Sequence, residues 1–368
     1  MHEKKIDKFF LIIVFLLIFL GVAIFISASF GVLAKNKEIF YNILFNQLVL
    51  GLGLGLLGMF LFFKINYKFL EKYSFYFFVG SIILTALVFI PSIGWGHQGA
   101  GRWVNIGFIS FQPVEFLKFS FIIYFATWLT LFKNKIKDMK YNLIALTILL
   151  ASTVLILFNQ PDTKSLILIL ATGIAMFFIS GIPVKLKYIL GAIAGLIFIF
   201  GSFIFFNPYI QQRIKTFLDP SQDPLGSSYQ IQQSLISFGS GKILGRGYGQ
   251  SIQKFNYLPE AQGDSIFAVI GEEFGFIGSV GIIILYLLFA LRGFNIANHA
   301  PSLFSGLLVS GIIIIIITQS FMNIASITGI FPLTGVPLVF VSHGGTSLMV
   351  YLAAIGIILQ ISKLKIKL

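Results

Sequence analysis

The sequence has no cysteine, and only 11% of its 368 residues carry charge. The first absence excludes disulfides, thiolate chemistry and Cys-ligated metal. The second excludes an ordinary soluble domain, where about a quarter of residues are charged. Acids are the scarcer sign, with 13 Asp and Glu against 26 Lys and Arg. Hydrophobic residues fill the space, at 57% of the chain with 43 Phe among them. No soluble surface could carry that much apolar area, whereas helices facing lipid can.

A spanning helix needs about 20 mostly apolar residues. Ten segments qualify, some only with their flanks: Phe9–Val32, Ile43–Phe63, Phe75–Ile90, Pro113–Phe132, Asn142–Phe158, Ser165–Ile179, Tyr188–Phe206, Ile266–Leu291, Leu303–Ile324 and Thr346–Ile361. The first follows Lys4, Lys5 and Lys8, as a signal peptide would. Its apolar run is too long for one, so a retained anchor is expected. The fold class is thus an all-α polytopic membrane protein with about ten transmembrane helices. A single domain covers residues 1–368, without repeats or a low-complexity linker.

Charge orients these helices. With the N-terminus in the cytoplasm, the inner loops and tails hold Lys4, Lys5, Lys8, Lys64, Lys68, Lys72, Lys133, Lys135, Lys137, Lys140, Lys185, Lys187, Arg292, Lys363, Lys365 and Lys367. Most of the basic residues are therefore inside, every inner segment contributes, and both termini are cytoplasmic. The basic excess reports topology, not nucleic-acid binding. Acids show the reverse. Only Glu3, Asp7, Glu71 and Asp138 fall inside, whereas Glu38, Glu115, Asp162, Asp219, Asp223, Glu260, Asp264, Glu272 and Glu273 fall outside or at the outer edge. Charges near a membrane core are costly and mark function by default, which puts the chemistry on the outer face.

Two outer segments are long, Pro91–Gln112 and Asn207–Ser265. The second is the large extracytoplasmic loop between spans seven and eight, with an amphipathic stretch at Tyr229–Phe238 that should lie along the membrane surface. A third, Thr328–Ser347, mixes Gly, Pro and apolar residues and reads as a packed, re-entrant loop. Irregular backbone at that depth is allowed only against protein or water.

Four constellations carry polar chemistry. In GRWVNIGFISFQPVEFLKF, residues 101–119, Pro113 suits a first helical turn, and Glu115 and Lys118 share a face at i and i+3. They read either as a buried ion pair fixing helix packing or as a lysine facing an anionic group, with Arg102 and Trp103 at the rim. In NQPDTKS, residues 159–165, Asp162 favours the start of the sixth span. In YLPEAQGDSIFAVIGEEFGFIG, residues 257–278, Asp264 is either an N-cap or a working acid beside Glu260, with Glu272 two turns below. In the large loop, Arg213, Lys215, Lys242, Arg246 and Lys254 run against the inside-positive trend. They read as headgroup attraction or as a clamp for a lipid pyrophosphate.

These motifs in this order resemble the SEDS family (shape, elongation, division and sporulation), the RodA/FtsW-type polymerases, over nearly the whole chain. The match runs through GRWVNIGFISFQPVEFLKF, NQPD, RIKTFLDP with SSYQIQQSLISFGSGKILGRGYGQS, YLPEAQGDSIFAVIGEE and TGIFPLTGVPLVFVSHGGTSL. Departures are Thr163-Lys164-Ser165 where a small Gly-Thr-Ala run is usual, Gln262-Gly263 before the acid, and His343 in a Ser-Tyr-Gly-Gly context.

The resemblance implies an inverting glycosyltransferase that polymerises lipid II into glycan strands outside the cytoplasmic (inner) membrane. It carries the essential loop aspartate onto Asp264 as general base. Arg102, Trp103, Glu115, Lys118, Arg213, Lys215, Arg246, Lys254 and Glu260 become candidate substrate-binding residues. No protein metal site is expected, and a divalent cation, magnesium or manganese, is the one cofactor left open. Implied partners are lipid II, the nascent lipid-linked strand, a class B penicillin-binding protein, and other divisome or elongasome membrane proteins. SIQKFNYLPEA resembles the FtsW division branch and GVPL the RodA elongation branch, with the balance toward FtsW. A lipid II flippase and a non-enzymatic scaffold are the alternatives from other classes.

Overall fold

The computed structural model describes residues 5–97, 100–106, 109–134, 139–182, 201, 205, 208–219 and 228–364. The predicted seventh span, Tyr188–Phe206, lies outside them except for two residues. So do Glu3, Lys4, Lys135, Lys137, Asp138, Lys185, Lys187, Asp223, Lys365 and Lys367.

Helices occupy the other nine predicted spans: α1 (Lys8–Lys35), α2 (Lys37–Lys64), α3 (Tyr67–Ala86), α4 (Pro113–Asn134), α5 (Met139–Asn159), α6 (Thr163–Ile179), α9 (Ile266–Asn298), α10 (Leu303–Ile327) and α11 (Gly345–Ser362). Two shorter helices, α7 (Pro208–Leu218) and α8 (Tyr229–Gly241), lie in the large loop. Among the described residues, seven helices are long and apolar enough to cross a membrane. This is a mostly helical, multi-pass membrane fold.

Helices α4, α10 and α11 are mostly enclosed and form the centre of the bundle. Helices α2 and α3 are mostly exposed yet apolar, and α1 turns Phe9, Ile12, Phe15, Leu16 and Phe19 outward. An apolar residue on every face is what a lipid-embedded helix needs.

The description as all-α needs one correction. Three strands, β1 (Gly94–His97), β2 (Ala100–Ile106) and β3 (Ile109–Phe111), form an antiparallel sheet in the order β1-β2-β3. Trp95 pairs with Trp103, and Val104 with Phe111. The sheet satisfies the backbone of a Gly-rich segment that has too few helix formers to wind up.

Helix α9 is broken at Gly275, which has φ 66° and ψ −162°. Only glycine reaches that region comfortably. A β-carbon there would sit 2.4 Å from Gly245 N. The segment after α8 fills the break: Arg246 N and Gly247 N donate to the carbonyls of Glu272 and Glu273, and Lys242 O accepts from Phe276 N. At the far end of α9, Arg292 Nε meets Asp7 Oδ1 at 3.0 Å, and Asp7 N donates to Ser362 Oγ. Asp264 lies at the opposite end, separated from Arg292 by most of a helix that would measure about 50 Å if straight.

Of the predicted Thr328–Ser347 loop, residues 328–344 are irregular and packed, and residues 345–347 already belong to α11. Val336, Leu338, Val339 and Val341 are buried. Its polar backbone is answered by side chains: Asn323 Nδ2 to Val336 O, Gln319 Nε2 to Pro337 O, and Gln47 Nε2 to Ser342 O.

Candidate active site

The chain reaches α9 through a run of tight turns over residues 257–265. Glu260, at φ 48°, accepts on its carbonyl from Gly263 N and Ser265 N. This turn makes Ser265 the residue before the helix, with no side chain capping it. Asp264 is therefore not the N-cap that its position suggests. Its Oδ1 accepts from Gln230 Nε2 of α8 at 3.2 Å, and Gln230 also reaches Ser265 Oγ. Asn323 of α10 holds the backbone here, donating to Asp264 O at 2.7 Å. Among the described residues, no side chain donates to Oδ2.

Oδ2 faces Gly335. A β-carbon placed on Gly335 would lie 3.5 Å from Asp264 Oδ2 and 3.8 Å from both terminal nitrogens of Arg213. Gly335 has φ 65°, which favours glycine, and its missing side chain leaves a methyl-sized space bordered by both the acid and the guanidinium. Arg213 is fixed by donating from Nη1 to Leu333 O. Lys164, in the first turn of α6, donates from Nζ to Gly335 O at 2.7 Å. Arg102, on β2, donates from Nη2 to Pro161 O at 2.6 Å, just ahead of that turn. Thus two cations from separate elements, Lys164 and Arg213, act on this carboxylate, and Arg102 acts on Lys164. Burial raises the Asp264 carboxyl above the usual range, and Lys164, the Gln230 hydrogen bond and Arg213 pull it back down.

Filling the gap should separate geometry from stability. Gly335→Ala should cost about 1–2 kcal/mol for the left-handed backbone. It should lower turnover roughly ten- to hundredfold by filling the space that acid and guanidinium border. Thermal unfolding and product formation on the same preparation check both.

The other candidates fall into three places. Glu115 and Lys118 form a buried ion pair at 2.8 Å, and Lys118 Nζ also donates to Gln319 Oε1 and Tyr351 OH. Gln319 in turn holds Pro337 O. The pair thus sits one layer beneath the Gly335 loop and joins α4, α10 and α11. Trp103 is half-buried in the sheet, and Lys215 is exposed on α7.

Arg246 and Lys254 are not beside Asp264. They belong to a second cluster with Glu272 and Glu273. Lys254 Nζ is fully enclosed, 2.7 Å from Glu273 Oε1 and 3.0 Å from Ser27 Oγ. Glu272 accepts from Ser251 Oγ and from the backbone N–H groups of Ile252 and Gln253, with Arg246 Nε at 3.5 Å. The paired glutamates therefore fasten the loop to α9 and do not join Asp264 in one acidic cluster. Asp162 does cap α6, accepting from Ser165 N and Oγ.

Lys164, Gln230, Asn323 and Gly335 were not marked as site residues by the sequence. Lys164 stood out only as a departure from a small-residue run. Among the described residues, no group of three or more His, Asp or Glu could hold a metal ion. Asp264 is faced by cations, so the donor set does not fit a protein-bound divalent metal at this site.

A family model described as "Cell cycle protein", FTSW_RODA_SPOVE, matches residues 7–367. Stage V sporulation protein E of Bacillus subtilis (strain 168) is 36% identical over 357 residues, 97% of each chain. "Probable peptidoglycan glycosyltransferase FtsW" of Geobacter sp. (strain M18) is 35% identical over 366 residues, 98% of each chain. Among solved structures, a chain from a peptidoglycan synthase complex, in work on the coordination of polymerization and crosslinking, superposes with a TM-score of 0.76. It is 28% identical, with coverage of 97% and 98%. The rod shape determining protein RodA of Thermus thermophilus gives a TM-score of 0.67 at 26% identity, covering 95% of this chain and 97% of that one.

Proposed function

The chain belongs to the FtsW/RodA/SpoVE family of cell cycle proteins, and from that premise we propose how this peptidoglycan glycosyltransferase of cell division uses the site around Asp264. The observation that carries the reading is Oδ2 of Asp264, which accepts from no described side chain and borders, together with the Arg213 guanidinium, the methyl-sized space left by Gly335.

The reaction is a single displacement. The acceptor sugar hydroxyl attacks the anomeric carbon of the donor, and Asp264 takes the hydroxyl proton. The bond from that carbon to the phosphate oxygen breaks, and the lipid pyrophosphate leaves with the electron pair. An α-linked donor then gives a β-linked product by inversion, with no enzyme nucleophile. Charge building on the leaving phosphate is met by Arg213, and Arg102 and exposed Lys215 are the further cations available to it. No step is routed through a metal. The donor is an undecaprenyl-pyrophosphate-linked disaccharide, lipid II, whose tail fits the apolar helix faces. The site lies on the outer face of the cytoplasmic membrane, at the end of α9 away from Asp7 and Arg292. A class B penicillin-binding protein is the crosslinking partner.

Purified full-length protein, with such a partner and labelled lipid II, should yield polymeric glycan. Lipid II movement between leaflets without polymer would overturn this reading in favour of transport. The absence of both would leave a scaffold.

A further inference from the structure

We propose that Lys164 is a positioning residue for Asp264: its ammonium, anchored on the Gly335 carbonyl, keeps the carboxylate charged and turned toward the gap where the acceptor hydroxyl binds. This rests on the base assignment made above and adds a residue to it.

Three observations carry the proposal. Lys164 comes from α6, whose first turn is fixed by the Asp162 cap. It makes one hydrogen bond, to Gly335 O at 2.7 Å, so the same glycine that opens the gap also holds the lysine at its edge. Gly335 O thereby gains a charged donor, and the lysine is tied to the loop that faces Oδ2. Among the described residues, the charges that act on this acid come from separate elements, Lys164 from α6 and Arg213 from α7, with Glu260 on its own turn and neutral Gln230 on α8; Asp162, Arg102 and Glu115 act on Lys164. Of the cations, Lys164 exerts the largest pull on Asp264, ahead of Arg213.

Its role differs from that of Arg213. A buried carboxyl tends to hold its proton, and a protonated Asp264 cannot accept one from the sugar. Activity must therefore rise with pH as Asp264 ionises. Removing an adjacent cation makes ionisation harder, so the acidic limb of the profile moves to higher pH.

The experiment is the pH profile of polymerisation by full-length protein with its penicillin-binding partner and labelled lipid II. Wild type is compared with Lys164→Met, Lys164→Gln and Lys164→Arg. Gln keeps a donor for Gly335 O without charge, so it serves if Met unfolds the loop. The expected result is an acidic limb displaced upward by about one pH unit or more in Met and Gln. Activity should recover toward wild type at high pH, and Arg should restore the wild-type limb. An unmoved limb overturns the proposal, as does equal loss at every pH, which marks a structural role. Asp264→Asn is run alongside. If it polymerises as wild type does, the base assignment itself fails. If it is inactive while the limb of Lys164→Met stays in place, only the proposal for Lys164 fails.

Discussion

Removing one partner of the enclosed Lys254–Glu273 pair should cost about 3–5 kcal/mol, because it strands a charge away from water. Both side chains are inaccessible in this structure. Glu273 accepts from Ser27 Oγ of α1 at 2.7 and 2.8 Å, so it ties together α1, α9 and the loop over residues 249–254. Either Lys254→Met or Glu273→Gln should therefore lower the thermal unfolding midpoint of the detergent-solubilised protein sharply. The double variant should recover part of the loss, since neither buried charge then remains unpaired. Equal, additive losses would show that the two residues act separately.

The second large effect is chemical. Asp264→Asn keeps the shape of the side chain and an oxygen that can accept from Gln230 Nε2, so the turn over residues 257–265 should persist. It removes the group that accepts a proton. Loss of a general base typically costs 10²–10⁴-fold, so polymerisation should fall by about that factor. Stability should change little, and burying an amide in place of a carboxylate removes the desolvation that raises the Asp264 carboxyl. Activity loss accompanied by unfolding would instead make Asp264 a structural residue. Product formation and thermal unfolding on one preparation distinguish the two.

The helices were legible because apolar runs of spanning length have few alternatives. Nine predicted segments coincide with helices, although α3 begins at Tyr67, one turn or more before the apolar run at Phe75. Its first turns carry Lys68, Glu71 and Lys72, which a hydrophobic run cannot include. The sheet at 94–111 was not legible, since its Gly and aromatic residues alternate too irregularly to show a strand period. The break at Gly275 was hidden as well. Glycine is common in membrane helices, and the partner that fills this one, Ile243–Gly245, lies some thirty positions upstream.

The site divides the same way. Asp264 could be singled out because an acid at a membrane edge is costly. Its companions could not. Lys164 and Gly335 are 171 positions apart, and nothing local says that a lysine in a helical first turn will bond a distant glycine carbonyl. Glu272 looked like a neighbour of Asp264 on helical spacing, with Glu273 beside it in sequence. The α9 break and the loop that fills it turn them toward Ser251, Lys254 and Ser27 instead.

The most direct test of the account is a paired assay on wild type and Asp264→Asn, in which retention of labelled lipid II and formation of glycan strands are measured in the same sample. The account predicts that both proteins retain lipid II and that only wild type extends it into strands. Strand formation by Asp264→Asn at the wild-type rate would contradict it.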